Sequence, residues 1–131
     1  MEIKGRKGKE TMTDDEHPKP ATELAKLNKL KPVFKENGTV TAASASGICD
    51  GAASLVLSNE AEVTSNNWTP LARVVAWNRV GCEPSEMGIG PVEAIRGALK
   101  AANLTLDDMD IVEINEAFAA QFLACEKALQ L

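Results

Sequence analysis

Between Ile111 and Leu131 the apolar period of the chain switches from that of a strand to that of a helix, and any fold must accommodate the switch. Ile111-Val112-Glu113-Ile114 is a short β-branched run, preceded by an acidic turn carrying Asp107, Asp108 and Asp110. Beyond Asn115-Glu116 the larger apolar side chains fall at Phe118, Phe122, Cys125 and Leu129. Those intervals lie on one face of a helix. The segment therefore predicts strand, abrupt turn and amphipathic helix, with Asn115 at the carboxyl end of the strand. In α/β sheets ligands and reacting groups collect at that edge. Asn115 has two readings there. As an N-cap its side-chain oxygen accepts an orphan backbone N–H, with Glu116 at the positive end of the helix dipole. As a chemical group its NH₂ donates, directly or through a held water, to an oxygen gaining negative charge.

Upstream, the valine-rich stretch Leu71 to Val80 suits a second strand, and Gly81 to Gly90 reads as a loop with several breakers. Pro91 fits a first helical position. The helix it opens, through Ala102, sets Val92, Ile95, Ala98, Leu99 and Ala102 on one face. Asn103 suits its C-terminal end. Strand, helix, strand, helix favours an α/β layered fold with largely parallel strands and a right-handed crossover between Leu71–Val80 and Ile111–Ile114. The Gly88–Pro91 turn offers a weak anion site. Further upstream, Ala53 to Leu57 reads as a buried strand, and Ser58 as the cap of a short helix from Glu60 to Asn66. Asn66 to Pro70 is the best boundary inside the chain.

The first 37 residues are polar and lysine-rich, with a helix from Thr22 to Leu30 and a turn at Glu36-Asn37-Gly38. His17, between Glu16 and Pro18, is a solvated side chain or a base, and a base needs positioning partners. From Thr41 to Ser54 nearly every residue is small. Ser44, Ser46, Gly47 and Gly51 can present hydroxyl and amide donors to an extended polar ligand, or allow tight packing of a buried turn.

At 131 residues the chain suffices for one core. Its net charge of −5 argues against a nucleic-acid surface, which needs a basic footprint; most of the basic excess sits in the first ten residues, at Lys4, Arg6, Lys7 and Lys9. No apolar run approaches the ~20 residues of a membrane span. Nor does the N-terminus show a secretory apolar core, which favours an intracellular protein. Cys49, Cys82 and Cys125 are unpaired in spacing, and no zinc pattern joins them to His17, so buried free thiols and no metal are expected.

NEAFAAQ after an apolar strand resembles the thiolases. DEHPKP, KPVFKENGTVTA, ASGICDGAA, TPLARVV, MGIGPVEAIRGALK and DMDIVEINEAFAAQ are similar, in family order, to consecutive segments of 3-ketoacyl-CoA and acetoacetyl-CoA thiolases, closest to the mitochondrial 3-ketoacyl type. The resemblance implies part of the thiolase-like layered αβαβα fold. Residues 1–37 would end the loop or lid subdomain, 38–67 the N-terminal half, and 68–131 would start the C-terminal half. It implies an acyltransferase acting on 3-ketoacyl-CoA and acetyl-CoA, with coenzyme A as substrate, no covalent cofactor, a homo-oligomer at full length and a mitochondrial location (cytoplasmic or peroxisomal as alternatives).

In the family the NEAF asparagine holds an oxyanion-hole water, and Asn115 matches it. Phe118 matches the phenylalanine lining that pocket. Ser46 and Gly47 match the loop on the pantetheine arm of coenzyme A; Phe34 and Met87 match apolar positions around the arm, and Lys19 the basic residue beside the nucleotide end. Ala43-Ser44 stands where the family usually has Gly-Asn. The segments carrying the nucleophilic cysteine, the Gly-His-Pro histidine and the Cys-Gly-Gly cysteine are absent, so an internal piece of a thiolase, inactive by itself, is expected. The alternative is a non-catalytic module that binds coenzyme A or a protein.

Overall fold

A computed structural model describes residues 2–5, 8–15 and 17–131. Arg6 and Lys7 of the basic cluster, and Glu16 of DEHPKP, lie outside the described residues. The chain divides into two compact units, Met1–Lys31 and Pro32–Leu131.

The first unit contains an antiparallel hairpin that its polar sequence does not announce, β1 (Glu2–Gly5) and β2 (Gly8–Thr11). The register sets Lys4 opposite Lys9, a repulsive pair, and Lys9 turns instead to Glu2 at 3.3 Å. The expected Thr22–Leu30 helix shortens to α1, Leu24–Leu27. Thr22 is not its cap: the Thr22 hydroxyl donates to the Lys19 carbonyl at 2.6 Å. Beyond Leu27 only single turns follow, because Leu24 and Leu30 remain exposed and no packing pays for more helix.

The second unit is built on helices. α2 (Glu60–Ser65) is capped by Asn59, whose Oδ1 accepts from the Glu62 N–H at 2.9 Å, in place of the expected Ser58. The breaker-rich Gly81–Gly90 stretch is more ordered than its composition suggests: Pro84–Ile89 winds as a 3₁₀ segment leading into α3 (Gly90–Ala102). Pro91 stands in the first turn of α3, and Asn103 ends it in the left-handed region at φ 55°, with the Leu104 N–H returning to the Leu99 carbonyl at 3.0 Å. Val92, 3% exposed, faces inward. A reciprocal cap between Thr105 and Asp108 closes the turn that follows.

α4 spans Ala119–Leu129. Phe118, Phe122 and Leu129 are half-buried and Cys125 fully buried, the face read from their spacing. The 3₁₀ segment and α3 both pack on α4. Arg96 of α3 reaches the Ala128 carbonyl at 3.0 Å, placing a cation at the negative end of α4.

Ala53–Leu57, Leu71–Val80 and Ile111–Ile114 form no ladder among the described residues, so neither the buried strand at 53–57 nor the crossover pair is present as a sheet. A strand needs a neighbour to supply the other half of its hydrogen bonds, whereas a helix satisfies its own. Their side chains stay exposed, Leu57 at 81% and Trp77 at 71%.

Candidate functional site

Glu36-Asn37-Gly38 turns the chain as expected, with Asn37 at φ 57° and the Gly38 N–H on the Lys35 carbonyl at 2.9 Å. The returning chain pairs with its start: the Val33 N–H meets the Val40 carbonyl at 3.0 Å, and Pro32 bridges Thr41. Ser44 then fixes a tight turn. Its Oγ accepts from the Thr41 N–H at 2.8 Å and donates to the Thr39 carbonyl at 3.3 Å. Ser44 therefore holds the loop by its own side chain.

That loop lies against the segment before α4. The Ser46 N–H donates to the Ala117 carbonyl at 3.0 Å, and the Ala119 N–H to the Ser44 carbonyl at 2.9 Å, an antiparallel bridge centred on Ala45 and Phe118. The rings of Phe34 and Phe118 meet edge to face, centroids 5.7 Å apart. The structure thus brings together Phe34, Ser46 with Gly47 beside it, and Phe118, with Asn115 two residues before the paired Ala117.

This pairing also overturns the N-cap reading of Asn115. Phe118, at φ −141° and ψ 143°, is the N-cap, and the helix begins later than its apolar period suggests because 117–119 are engaged with the serine loop. The carbonyl of Asn115 accepts from the Ala117 N–H at 3.0 Å. Its side-chain amide is exposed and bonds to no described residue. Hollows of about 430 and 460 Å³ are lined by residues 18–30 and by β1 with β2, and neither includes Asn115.

Met87 lies on the exposed side of the 3₁₀ segment, which packs on α4. Lys19 lines the open 430 Å³ hollow of the first unit with Pro18, Pro20, Leu27 and Leu30. His17 is exposed, its backbone N–H on Asp15 Oδ1 at 3.0 Å. Of the cysteines, Cys125 is buried, but Cys49 and Cys82 are exposed, contrary to expectation, because the apolar runs beside them find no cover. Among the described residues no His, Cys, Asp and Glu cluster could hold a metal ion, and no helix is long and apolar enough to cross a membrane.

Sequence reasoning missed Gln121. Its Oε1 accepts from the N–H groups of Ala117 and Phe118 at 3.1 and 3.4 Å, and its Nε2 donates to Cys125 Sγ at 3.6 Å. The signal was present in NEAFAAQ: a glutamine three residues after the N-cap is the reaching-back half of a capping box.

Comparison with known families decides what the arrangement belongs to. The model of the thiolase N-terminal domain matches residues 1–61, and that of the thiolase C-terminal domain matches residues 68–131. The chain belongs to the thiolase family. It is 58% identical over all 131 residues to the mitochondrial 3-ketoacyl-CoA thiolase of Bos taurus, and covers 33% of that protein. It is also similar to the crystal structure of human mitochondrial 3-ketoacyl-CoA thiolase, with a TM-score of 0.87 and 57% identity, covering 100% of this chain and 33% of the human one. The human enzyme in complex with CoA gives a TM-score of 0.85 at 57% identity, over 92% and 30% of the two chains. This thiolase chain thus spans about a third of the length of the relatives it matches. Its fold is the thiolase-like α/β fold.

Proposed function

We propose that these residues serve a thiolase acyltransferase, which cleaves or condenses 3-ketoacyl-CoA and acetyl-CoA, by supplying the oxyanion-hole asparagine and part of the coenzyme A site. The observation that carries this reading is the backbone pairing of Ser44–Ser46 with Ala117–Ala119, which sets the pantetheine-loop residues next to the turn bearing Asn115. An oxyanion donor has to be free to donate, and the Asn115 amide spends neither hydrogen on a described residue. Phe34 and Phe118 form a ring wall suited to an apolar stretch of the arm. Ser46 and Gly47 line the arm, and Met87 extends its apolar wall. Relatives named as mitochondrial support a mitochondrial location; at full length the protein is taken to be a homo-oligomer. In the full protein, residues 1–37 belong to the loop subdomain, 38–67 to the N-terminal half and 68–131 to the C-terminal half.

None of the three cysteines hydrogen-bonds a described basic side chain that could activate it. Cys125 is sealed between Gln121 and the Gly88 carbonyl, and the Cys49 thiol turns to the Gly47 carbonyl at 3.7 Å. An oxyanion donor without nucleophile and base leaves most of the barrier in place. The test is thiolysis of acetoacetyl-CoA by a full-length relative whose corresponding third is replaced by these residues. An active chimera, beside an inactive isolated chain, supports the reading; an inactive but folded chimera, or turnover by the chain alone, contradicts it.

A second reading, a non-catalytic module binding coenzyme A or a protein, is favoured by the exposure of Ser46 and Gly47. Titration of the isolated chain with coenzyme A separates the two: micromolar binding lost on Ser46→Phe marks the module, and no binding favours the first reading.

A further inference from the structure

Gln121 links the turn after Asn115 to the 3₁₀ segment that carries Met87. On one side its Oε1 takes the N–H groups of Ala117 and Phe118. On the other its Nε2 donates to Cys125 Sγ, which donates in turn to the Gly88 carbonyl at 3.3 Å. Gly88 is pressed against the same side chain, since a Cβ there would stand 3.1 Å from Gln121 Cγ.

We propose that Gln121 is a positioning residue for Asn115, acting through the backbone of Ala117 and Phe118; the proposal rests on the reading of Asn115 as the oxyanion donor. No described group holds the Asn115 side chain, so the backbone around it decides where the amide points. The Ala117 N–H is shared between Gln121 Oε1 and the Asn115 carbonyl. The Phe118 N–H has Gln121 as its partner. Removing the acceptor leaves a half-buried donor unpaired and frees the turn that the Ser46 N–H also uses, through the Ala117 carbonyl. A primary amide suits the place because one end must accept and the other donate. A carboxylate keeps the acceptor and loses the donor to sulfur; a thioether fills the space and does neither.

The experiment is residue-resolved amide exchange on the full chain, comparing wild type with Gln121→Met and Gln121→Glu. Gln121→Met is expected to speed exchange at Phe118 about five- to tenfold, the loss of one hydrogen bond, with Ser46 following in the same direction. Gln121→Glu restores Phe118 to within about twofold of wild type, as an acceptor is all that bond needs. Leu104, held by Leu99 at the end of α3, stays unchanged and reports that the helices are intact. Should Gln121→Met disturb Leu104, Gln121→Asn, one methylene too short to reach, is read in its place. Equal Phe118 exchange in wild type and the variant lacking the acceptor, or a Gln121→Glu protein no better protected than Gln121→Met, overturns the clamp. The role of Asn115 itself is decided separately by turnover of the chimera, so failure of the site and failure of the clamp are told apart.

Discussion

Where the 3₁₀ segment, α3 and α4 meet, apolar side chains find one another, with Val92 and Cys125 sealed between them. From Leu55 to Val80 they do not, and leucines, valines and two tryptophans stand in solvent. Hydrophobicity does not separate these regions; the bookkeeping of backbone hydrogen bonds does. α3 and α4 close their bonds within themselves and need only one another to cover their apolar faces. The valine-rich stretch offers donors and acceptors that a neighbouring strand must meet, and none of the described residues meets them. The candidate site falls where the two behaviours join: Ser44–Ser46 and Ala117–Ala119 supply one another with a short bridge, and α4 begins directly after it.

The largest expected contrast is in hydrogen exchange. Amides in the middle of α3 should exchange about a hundredfold or more slowly than those of Leu71–Val80, because opening the helix corner costs packing and opening the strand costs nothing. Comparable rates in the two regions would break the comparison. Next comes truncation. Val92→Ala should lower unfolding free energy by about 2 kcal/mol in urea titration, from two lost carbons plus the cavity they leave, whereas Val75→Ala should stay within about 0.5 kcal/mol. Smaller again is the end of α3. Asn103→Ala should cost about 1 kcal/mol for its left-handed backbone, while Asn103→Gly should be close to neutral, read from the same titrations.

The smallest effect is one of pH. Backbone and side-chain hydrogen bonds from Thr105 hold the Asp108 carboxyl below its ordinary value. A depressed folded value means that the turn gains stability above the unfolded value and loses it as pH falls through the folded one. Asp108 is fully exposed, so the gain is slight. An NMR titration should place its midpoint below the ordinary aspartate value, and Asp108→Asn should flatten the acid dependence of the Thr105 amide shift.

α3, α4, the Asn103 terminus and the Glu36–Gly38 turn were legible in the sequence because each rests on local chemistry: a period, a cap, a left-handed asparagine. The meeting of the small-residue loop with NEAF was legible through family resemblance and not through spacing, since some seventy residues separate them. Three things were misread. The β1–β2 hairpin was hidden by its polarity, as Glu2, Lys4, Lys9 and Glu10 stand in its strands. Asn59 caps α2 in place of the expected Ser58 through its own bond to Glu62, and Phe118 stands at the start of α4, against the N-cap reading of Asn115, because long-range pairing and the reach of Gln121 hold 117–119. The strands at 53–57, 71–80 and 111–114 show the right β-branched composition, but composition cannot report whether a neighbour is there.

The central claim is that Asn115, presented by the bridge between the serine loop and α4, steadies the developing oxyanion of a thioester. The most direct measurement is steady-state thiolysis of acetoacetyl-CoA by the active chimera with and without Asn115→Ala. The expected result is a fall in kcat of about 10²–10³, with KM for the acyl-CoA little changed, since the donor acts on charge that appears only at the transition state. A variant turning over at the parent rate would contradict the account.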